Sequence, residues 1–299
     1  PRTNDWLLIT SPMPGLTIMG TYLYFVLSWG PRYMQHRKPY DLTNTLILYN
    51  MLQVFVSVYL FYEIPIIGVT LSRVKNFTVA ISAQHAKIEE TRLSIFRMPS
   101  KQLIYCKCLF LYQGLDAAWL RKYSWQCQPV DFSNSPEAMR VARGVYIYFL
   151  AKISELLDTV FFVLRKKEKQ ITFLHMYHHT VMPMISWGCT KYYPGGHGTF
   201  IGVINSFVHI IMYFYYMMSA MGPQYQKYLW WKKYITTLQM GQFCVAFLHS
   251  FQLLFHDCEY PRWSLFFILP NAIFFYYLFN DFYGKAYESS RKKGGSKQS

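Results

Sequence analysis

The chain has 299 residues, of which 53% are hydrophobic and only 15% are charged, whereas an ordinary soluble domain has roughly 25% charged residues. The apolar residues occur in long runs, and crossing the hydrocarbon core of a bilayer takes about 20 mostly apolar residues. The formal net charge is +15, but Lys and Arg lie in short clusters between the apolar runs, as in membrane proteins. Composition therefore predicts an all-α membrane protein that lies in a lipid bilayer and binds no nucleic acid.

Seven apolar runs predict seven transmembrane helices that enclose an intramembrane pocket. If the loops alternate between the two sides, one set of short loops holds most of the Lys and Arg residues, which places that set in the cytosol. The N-terminus is then lumenal, and the basic tail 281–299 is cytosolic. The predicted helices are 15–29, 45–62, 144–164, 171–188, 199–221, 234–256 and 262–280.

Four of these helices carry polar residues at spacings of three, four and seven, which place each set on one helix face. Ionisable groups are costly inside a bilayer and normally face the bundle interior or a cavity. Polar faces on four neighbouring helices therefore predict one shared pocket. The residues are Lys152, Glu155, Asp158 and Thr159 on the third helix, His175, His178 and His179 on the fourth, Asn205, His209, Tyr213 and Tyr216 on the fifth, and Thr236, Gln239 and Gln242 on the sixth.

Some of these polar residues also have a structural interpretation. Lys152 and Glu155 lie three residues apart and can form an ion pair, which does not exclude a role in orienting catalytic groups. Tyr213 and Tyr216 suit packing or hydrogen bonding, and the glutamines can tie helices together. Three further histidines lie alone or at helix ends, and we interpret them as structural. They are His197, His249 and His256.

The HxxHH spacing from His175 to His179 is also typical of membrane enzymes that hold two irons, but those enzymes need several such boxes. Only one box is present, with His209 nearby. We therefore predict no metal and no cofactor, and imidazole then acts as a general base or nucleophile because its usual pKa is near neutrality. A mononuclear metal site, as in a lipid hydroxylase, stays an alternative, as does a transporter or receptor with seven spans.

The polar faces contain four motifs in order: KxxExxDT at 152–159, HxxHH at 175–179, NxxxHxxMYxYY at 205–216 and TxxQxxQ at 236–242. The ordered set resembles the very-long-chain fatty acid elongase family, in particular its animal members. The resemblance implies a condensing enzyme, an acyltransferase of the 3-oxoacyl-CoA synthase type. Such an enzyme joins a long-chain acyl-CoA to malonyl-CoA and releases CO2 and CoA. The resemblance also implies the endoplasmic reticulum membrane, and the other enzymes of the elongation cycle as partners.

With this chemistry, the histidines are the catalytic candidates. We expect His178 to accept the acyl group as an acyl-imidazole, His175 and His179 to orient it, and His209 to polarise a substrate carbonyl, although spacing leaves their assignment open. Asn205, Tyr213, Gln239 and Gln242 are candidate donors to the enolate. Basic residues at the cytosolic mouth are candidates for binding CoA phosphates, or they are only topology signals. They are Arg165, Lys166, Lys167, Lys232 and Lys233.

Two predictions concern the lumenal side. Cys127 and Cys258 both fall in lumenal loops, where the compartment is oxidising, so we predict a disulfide between them. Residues 64–113 carry seven Lys or Arg, which is unusual for a lumenal loop, and they have no counterpart in the family that the chain resembles. We interpret them as a gene-model error or as a genuine insertion. The remainder of 1–299 forms a single membrane domain.

Overall fold

The computed structural model describes residues 2–63, 119 and 123–288, and within these residues the secondary structure is helical, without a β-strand. The all-α prediction is therefore confirmed for these parts of the chain. The segment 64–113 and the tail beyond residue 288 lie outside the described residues. The helices are α1 (Met13–Tyr24), α2 (Gly30–Met34), α3 (Thr43–Glu63), α4 (Pro136–Ser154), α5 (Leu156–Leu164), α6 (Phe173–Tyr192), α7 (Thr199–Ala220), α8 (Pro223–Gln226), α9 (Lys232–Phe251) and α10 (Leu265–Tyr283).

Six of the long helices pack in a closed ring. Helix α3 contacts α7, α7 contacts α9, α9 contacts α10, α10 contacts α6, α6 contacts α4, and α4 returns to α3. Helices α1 and α2, which a π-helical turn joins, lie outside this ring against α5. Their contact is an apolar cluster that includes Met19 and Tyr22 of α1 and Leu156 and Val163 of α5. The interior of the ring is therefore available to the polar faces of its helices.

Among the described residues, three helices are long and apolar enough to cross a membrane, as judged by length and composition: Thr43–Phe61, Gly196–Ala220 and Arg262–Tyr287. Polar residues lower the mean hydropathy of the ring helices α4, α6 and α9, whereas α7 carries a motif and still qualifies. The count of seven spans is therefore neither confirmed nor contradicted by the described helices. The helical, apolar character of a multi-pass membrane protein is clear.

The third predicted helix starts earlier than expected, at Pro136 instead of residue 144. Ser135 precedes it in an extended conformation, and its side chain accepts a hydrogen bond from the Ala138 amide at 3.2 Å. A serine N-cap followed by proline at the first helical position is a strong start signal. Our expected boundary was wrong because it followed hydropathy alone and ignored this cap.

The same predicted helix is also interrupted at Glu155, between α4 and α5. The Ser154 hydroxyl donates to the Ala151 carbonyl at 2.8 Å, a contact that often bends helices. Two side chains of α3 reach this break: Gln53 donates to the Ser154 hydroxyl at 2.8 Å, and the Tyr49 hydroxyl donates to the Ser154 carbonyl at 3.3 Å. Polar neighbours of this kind satisfy the backbone of a broken membrane helix.

One end of the ring is held by covalent and polar links, and we call it the disulfide end. The structure joins Cys127 and Cys258, the pair that the topology argument selects, with their Cα atoms 6.0 Å apart. The N-terminal segment also attaches here, because the Thr3 hydroxyl donates to the Thr190 carbonyl at 2.9 Å and Lys191 donates to the Ile9 carbonyl at 3.0 Å. We call the opposite end, where α5 ends and α9 begins, the basic end.

Candidate active site

An apolar cavity lies among the ring helices. Its polar lining is concentrated in a few side chains, among them Tyr148, His178, Asn205 and Gln242. From there the cavity continues between apolar side chains toward Tyr260 and the disulfide end. The apolar lining includes Met182, Ile185, Phe243, Ala246, Ile268 and Phe275. A long apolar chain with a reactive polar head group fits a cavity of this character.

A buried chain of charged groups lies among the ring helices. Lys152 donates to both carboxylate oxygens of Glu155, at 2.8 and 3.0 Å, and His209 Nδ1 lies 3.2 Å from the same carboxylate. All three side chains are nearly inaccessible, with 2%, 3% and 6% exposure. The ion pair considered from the spacing of Lys152 and Glu155 is therefore confirmed, and it extends to a histidine on a neighbouring helix.

The Glu155 contact determines which nitrogen of His209 is available for chemistry. An ionised carboxylate only accepts hydrogen bonds, so the proton of a neutral His209 ring lies on Nδ1. The other nitrogen, Nε2, then carries a lone pair and acts as an acceptor or base. Fixing a tautomer through the second ring nitrogen is a recurring arrangement in catalytic and metal-binding histidines.

A second polar link joins Asp158 to Tyr213, whose hydroxyl donates to the carboxylate at 2.9 Å. Tyr213 is only 1% exposed, and the Tyr49 ring packs edge-on against it at 6.2 Å between centroids. Because its hydroxyl is used within this link, Tyr213 is not placed as an enolate donor. Tyr216 is 41% exposed, and its ring lies edge-on to that of Tyr213 with centroids 6.0 Å apart.

The three histidines of the HxxHH box have different surroundings. His178 lines the cavity and packs edge-on against Phe275, with ring centroids 5.4 Å apart. His175 Nε2 is instead hydrogen-bonded to the Thr159 hydroxyl at 2.8 Å, and the His179 ring is buried between the other two, at 4.1 and 5.2 Å. Neither His175 nor His179 lines the cavity. The structure thus places His178 on the cavity wall and the other two rings outside the cavity lining, a distinction that the spacing of the motif alone did not make.

The glutamine face divides in the same way. Gln242 lines the cavity, whereas Gln239 donates to the Met212 sulfur at 3.5 Å and so ties α9 to α7. Thr236 is buried but does not line the cavity. Of the candidate donors named from the motifs, only Asn205 and Gln242 are therefore placed to meet a bound molecule.

The five basic residues named from the sequence lie at the basic end of the ring. Arg165, Lys166 and Lys167 follow the last residue of α5, and Lys232 and Lys233 begin α9. The last four of these side chains are exposed, although Lys166 also donates to the Gln35 carbonyl at 3.2 Å. Within the described ranges, no group of three or more His, Cys, Asp or Glu side chains is arranged to hold a metal ion.

Three interior residues were missed when the motifs alone were considered. Tyr49 and Gln53 come from α3, which carries no motif, and sequence offered no reason to place them beside Ser154. Tyr148 was detectable, because it precedes Lys152 by four residues and so shares its helix face. Cys189, in the last turn of α6, also lines the cavity.

The fold and the site together define a class of protein: a multi-pass helical membrane protein whose interior cavity has an apolar body and a histidine at its polar part. Residues 7–295 match the family described as ELO: GNS1/SUR4. A very long chain fatty acid elongase of Aedes aegypti is 43% identical over 294 residues, which are 98% of this chain and 68% of that protein.

Two further relatives show a similar extent of likeness. Very long chain fatty acid elongase 7 of Drosophila melanogaster is 42% identical, over 96% of this chain and 72% of that protein. The rat protein of the same name is 39% identical, over 98% of this chain and 87% of its own length. The chain belongs to the ELO (GNS1/SUR4) family.

Proposed function

We propose that this protein is the condensing enzyme of fatty acid elongation, a 3-oxoacyl-CoA synthase that joins a long-chain acyl-CoA to malonyl-CoA. The observation that carries the proposal is His178 on the wall of an apolar cavity, among ring helices that also hold the buried Lys152–Glu155–His209 chain. The cavity suits the acyl chain, and imidazole suits transfer of an acyl group near neutral pH. The names of the related proteins support the same substrate class.

In the first half-reaction, a ring nitrogen of His178 attacks the thioester carbonyl of the acyl-CoA. The carbon–sulfur bond breaks, and the CoA thiolate leaves with the proton that the acylated ring gives up. The product is an acyl-imidazole and free CoA. The apolar lining from Met182 to Phe275 would hold the acyl chain in place during this step, which keeps the carbonyl carbon beside the histidine.

In the second half-reaction, malonyl-CoA loses CO2, and the electron pair of the broken carbon–carbon bond becomes an enolate. The enolate carbon attacks the acyl carbon and the bond to His178 breaks. The departing ring nitrogen takes one proton that comes from solvent, which regenerates the neutral imidazole. No metal or cofactor is required for this balance. Amide donors of Asn205 and Gln242 would stabilise the negative oxygen. His209, whose Nδ1 is held by Glu155, would take up this proton at Nε2 and pass it on.

The topology that accompanies this proposal is seven transmembrane spans in the endoplasmic reticulum, with a lumenal N-terminus and a cytosolic tail. The basic end of the ring then faces the cytosol, where its exposed lysines meet the phosphates of both CoA substrates. The disulfide end faces the oxidising lumen. The 3-oxoacyl product requires reduction and dehydration, so the enzymes of those steps are the expected partners.

The test uses the purified full chain in lipid nanodiscs, labelled malonyl-CoA and acyl-CoAs of graded length. We expect labelled CO2 and a 3-oxoacyl-CoA two carbons longer, both dependent on the acyl-CoA. Tyr146→Phe is a matched control, because Tyr146 does not line the cavity and its hydroxyl donates to the Leu7 carbonyl at 3.3 Å. Absence of product would refute the proposal, and activity removed by a chelator and restored by iron would favour the hydroxylase alternative.

A further inference from the structure

We propose that Tyr148 is a positioning residue that holds the Asn205 amide so that its nitrogen donates to the negative oxygen formed in the cavity. The inference rests on the proposed condensation reaction, because that reaction creates the oxyanion. Tyr148 belongs to none of the four motifs, and its role is assigned from contacts alone.

The Tyr148 hydroxyl donates to the amide oxygen of Asn205 at 2.9 Å, and both residues line the cavity. Asn205 is otherwise buried, with 5% exposure. The hydrogen bond fixes the amide plane and takes up its oxygen. The amide nitrogen, which carries two hydrogens, makes no hydrogen bond to any residue in the described ranges, so its donors are available to a molecule in the cavity.

A second asparagine that lines the cavity, Asn271, does not have a free amide nitrogen. The Asn271 oxygen accepts from the Tyr177 hydroxyl at 2.8 Å, but its nitrogen donates to the Phe267 carbonyl at 2.7 Å. Both ends of the Asn271 amide are therefore used within the protein. The Asn205 oxygen likewise accepts from a tyrosine hydroxyl, but its amide nitrogen remains available to a ligand.

The position of the pair fits the reaction space. Asn205 lies one helical turn before His209 on α7, so the amide and the imidazole share a helix face. The Tyr148 ring also lies under the Lys152 ammonium, 4.9 Å from the ring centroid. The ring thus contributes to packing around the cation, while the hydroxyl has the separate task of orienting the amide.

Removal of the hydroxyl alone separates these two tasks. In Tyr148→Phe the ring remains beside Lys152, but the Asn205 amide is free to rotate and can present its oxygen to the developing negative charge. Loss of one oxyanion donor typically costs about 10²–10³ in kcat, and loss of its orientation should cost less. We expect kcat to fall about 10- to 100-fold, while KM for the acyl-CoA changes less than about threefold and the thermal midpoint matches that of Tyr146→Phe.

The decisive comparison is a double-mutant cycle with Asn205→Asp, which keeps the shape of the side chain but removes both amide hydrogens. If Tyr148 acts through Asn205, adding Tyr148→Phe to Asn205→Asp should cause no further loss of kcat. An equal loss in both backgrounds would overturn the proposal, as would wild-type kcat in Tyr148→Phe or a loss of folding that Tyr146→Phe does not show. A wild-type enzyme that forms no elongated product would instead refute the proposed function itself.

Discussion

Two pairs of histidines lie in the same ring, and they differ in what surrounds them. The first, which we call the cavity pair, consists of His178, which lines the cavity, and the buried His209, which has a carboxylate 3.2 Å from Nδ1. His197 and His249 lie in the disulfide half, where their rings stack at 3.8 Å with an interplanar angle of 5°. His209, His197 and His249 are all buried, so burial alone does not mark a catalytic histidine.

The hydrogen bonds of the second pair explain the difference. His197 Nε2 lies 2.8 Å from the His249 carbonyl, which only accepts, so this nitrogen carries the ring proton. Gln252 Nε2 donates to His249 Nδ1 at 3.0 Å, so that nitrogen is unprotonated. No carboxylate contacts either ring among the described side chains. The carboxylate partner of His209 thus fixes its tautomer for proton transfer. The carbonyl and the stacked ring instead hold His197 and His249 in the packing, and we call these two the scaffold pair.

The largest effect should come from the cavity pair. His178→Ala and His209→Ala should each reduce elongation by about 10³-fold or more, because the first removes the proposed acyl carrier and the second removes the oriented base. Size-exclusion profiles and thermal midpoints should remain close to those of wild type. Elongation near the wild-type rate in either variant would contradict the claim that the cavity pair is catalytic.

The next effect concerns the carboxylate that distinguishes the pairs. Glu155→Gln leaves Lys152 buried without its counter-charge, which typically destabilises a protein by about 3–5 kcal/mol. Lys152→Met combined with Glu155→Gln removes both charges and should recover much of this stability. Elongation should stay low in both variants, because His209 has lost its carboxylate partner. Recovery of activity together with stability would show that the ion pair serves only folding.

Part of this account was predictable from sequence because the motifs record helix faces directly. The spacing of the motifs predicted that Lys152, Glu155 and His209 face one interior, and the apolar runs predicted the long helices. The break at Glu155 was not predictable, because it depends on Gln53 and Tyr49 reaching Ser154 from a helix without a motif. The different surroundings of His175 and His178 were not predictable either. Both residues lie in one motif, and only the folded structure shows which neighbours each ring contacts.

A smaller effect, confined to stability, is expected at the disulfide end. The Cys127–Cys258 bond spans 131 residues of sequence, and removing a crosslink of this kind typically costs about 2–4 kcal/mol. Cys127→Ser combined with Cys258→Ser should therefore lower the thermal midpoint while kcat at 25 °C stays within about twofold of wild type. Cys244→Ser, at an exposed unpaired cysteine, is the control. A large loss of kcat without a loss of stability would place the reaction nearer this end.

The smallest effect should follow substitution in the scaffold pair. His249→Phe keeps an aromatic ring against Trp119 and Phe200 but removes the acceptor of the Gln252 hydrogen bond, which is worth about 1 kcal/mol. Elongation should remain within about threefold of wild type, with a modest fall in the thermal midpoint. If this variant lost activity to the same degree as His209→Ala, the scaffold interpretation of His249 would be wrong.

The central claim is that His178 carries the acyl group, and mass spectrometry of the enzyme incubated with acyl-CoA alone tests it most directly. We predict release of free CoA before malonyl-CoA is added, and a peptide that contains His178 with one added acyl mass. The adduct should disappear, with formation of 3-oxoacyl-CoA, when malonyl-CoA follows. Turnover without any acyl adduct, or an adduct that persists through turnover, would contradict the account.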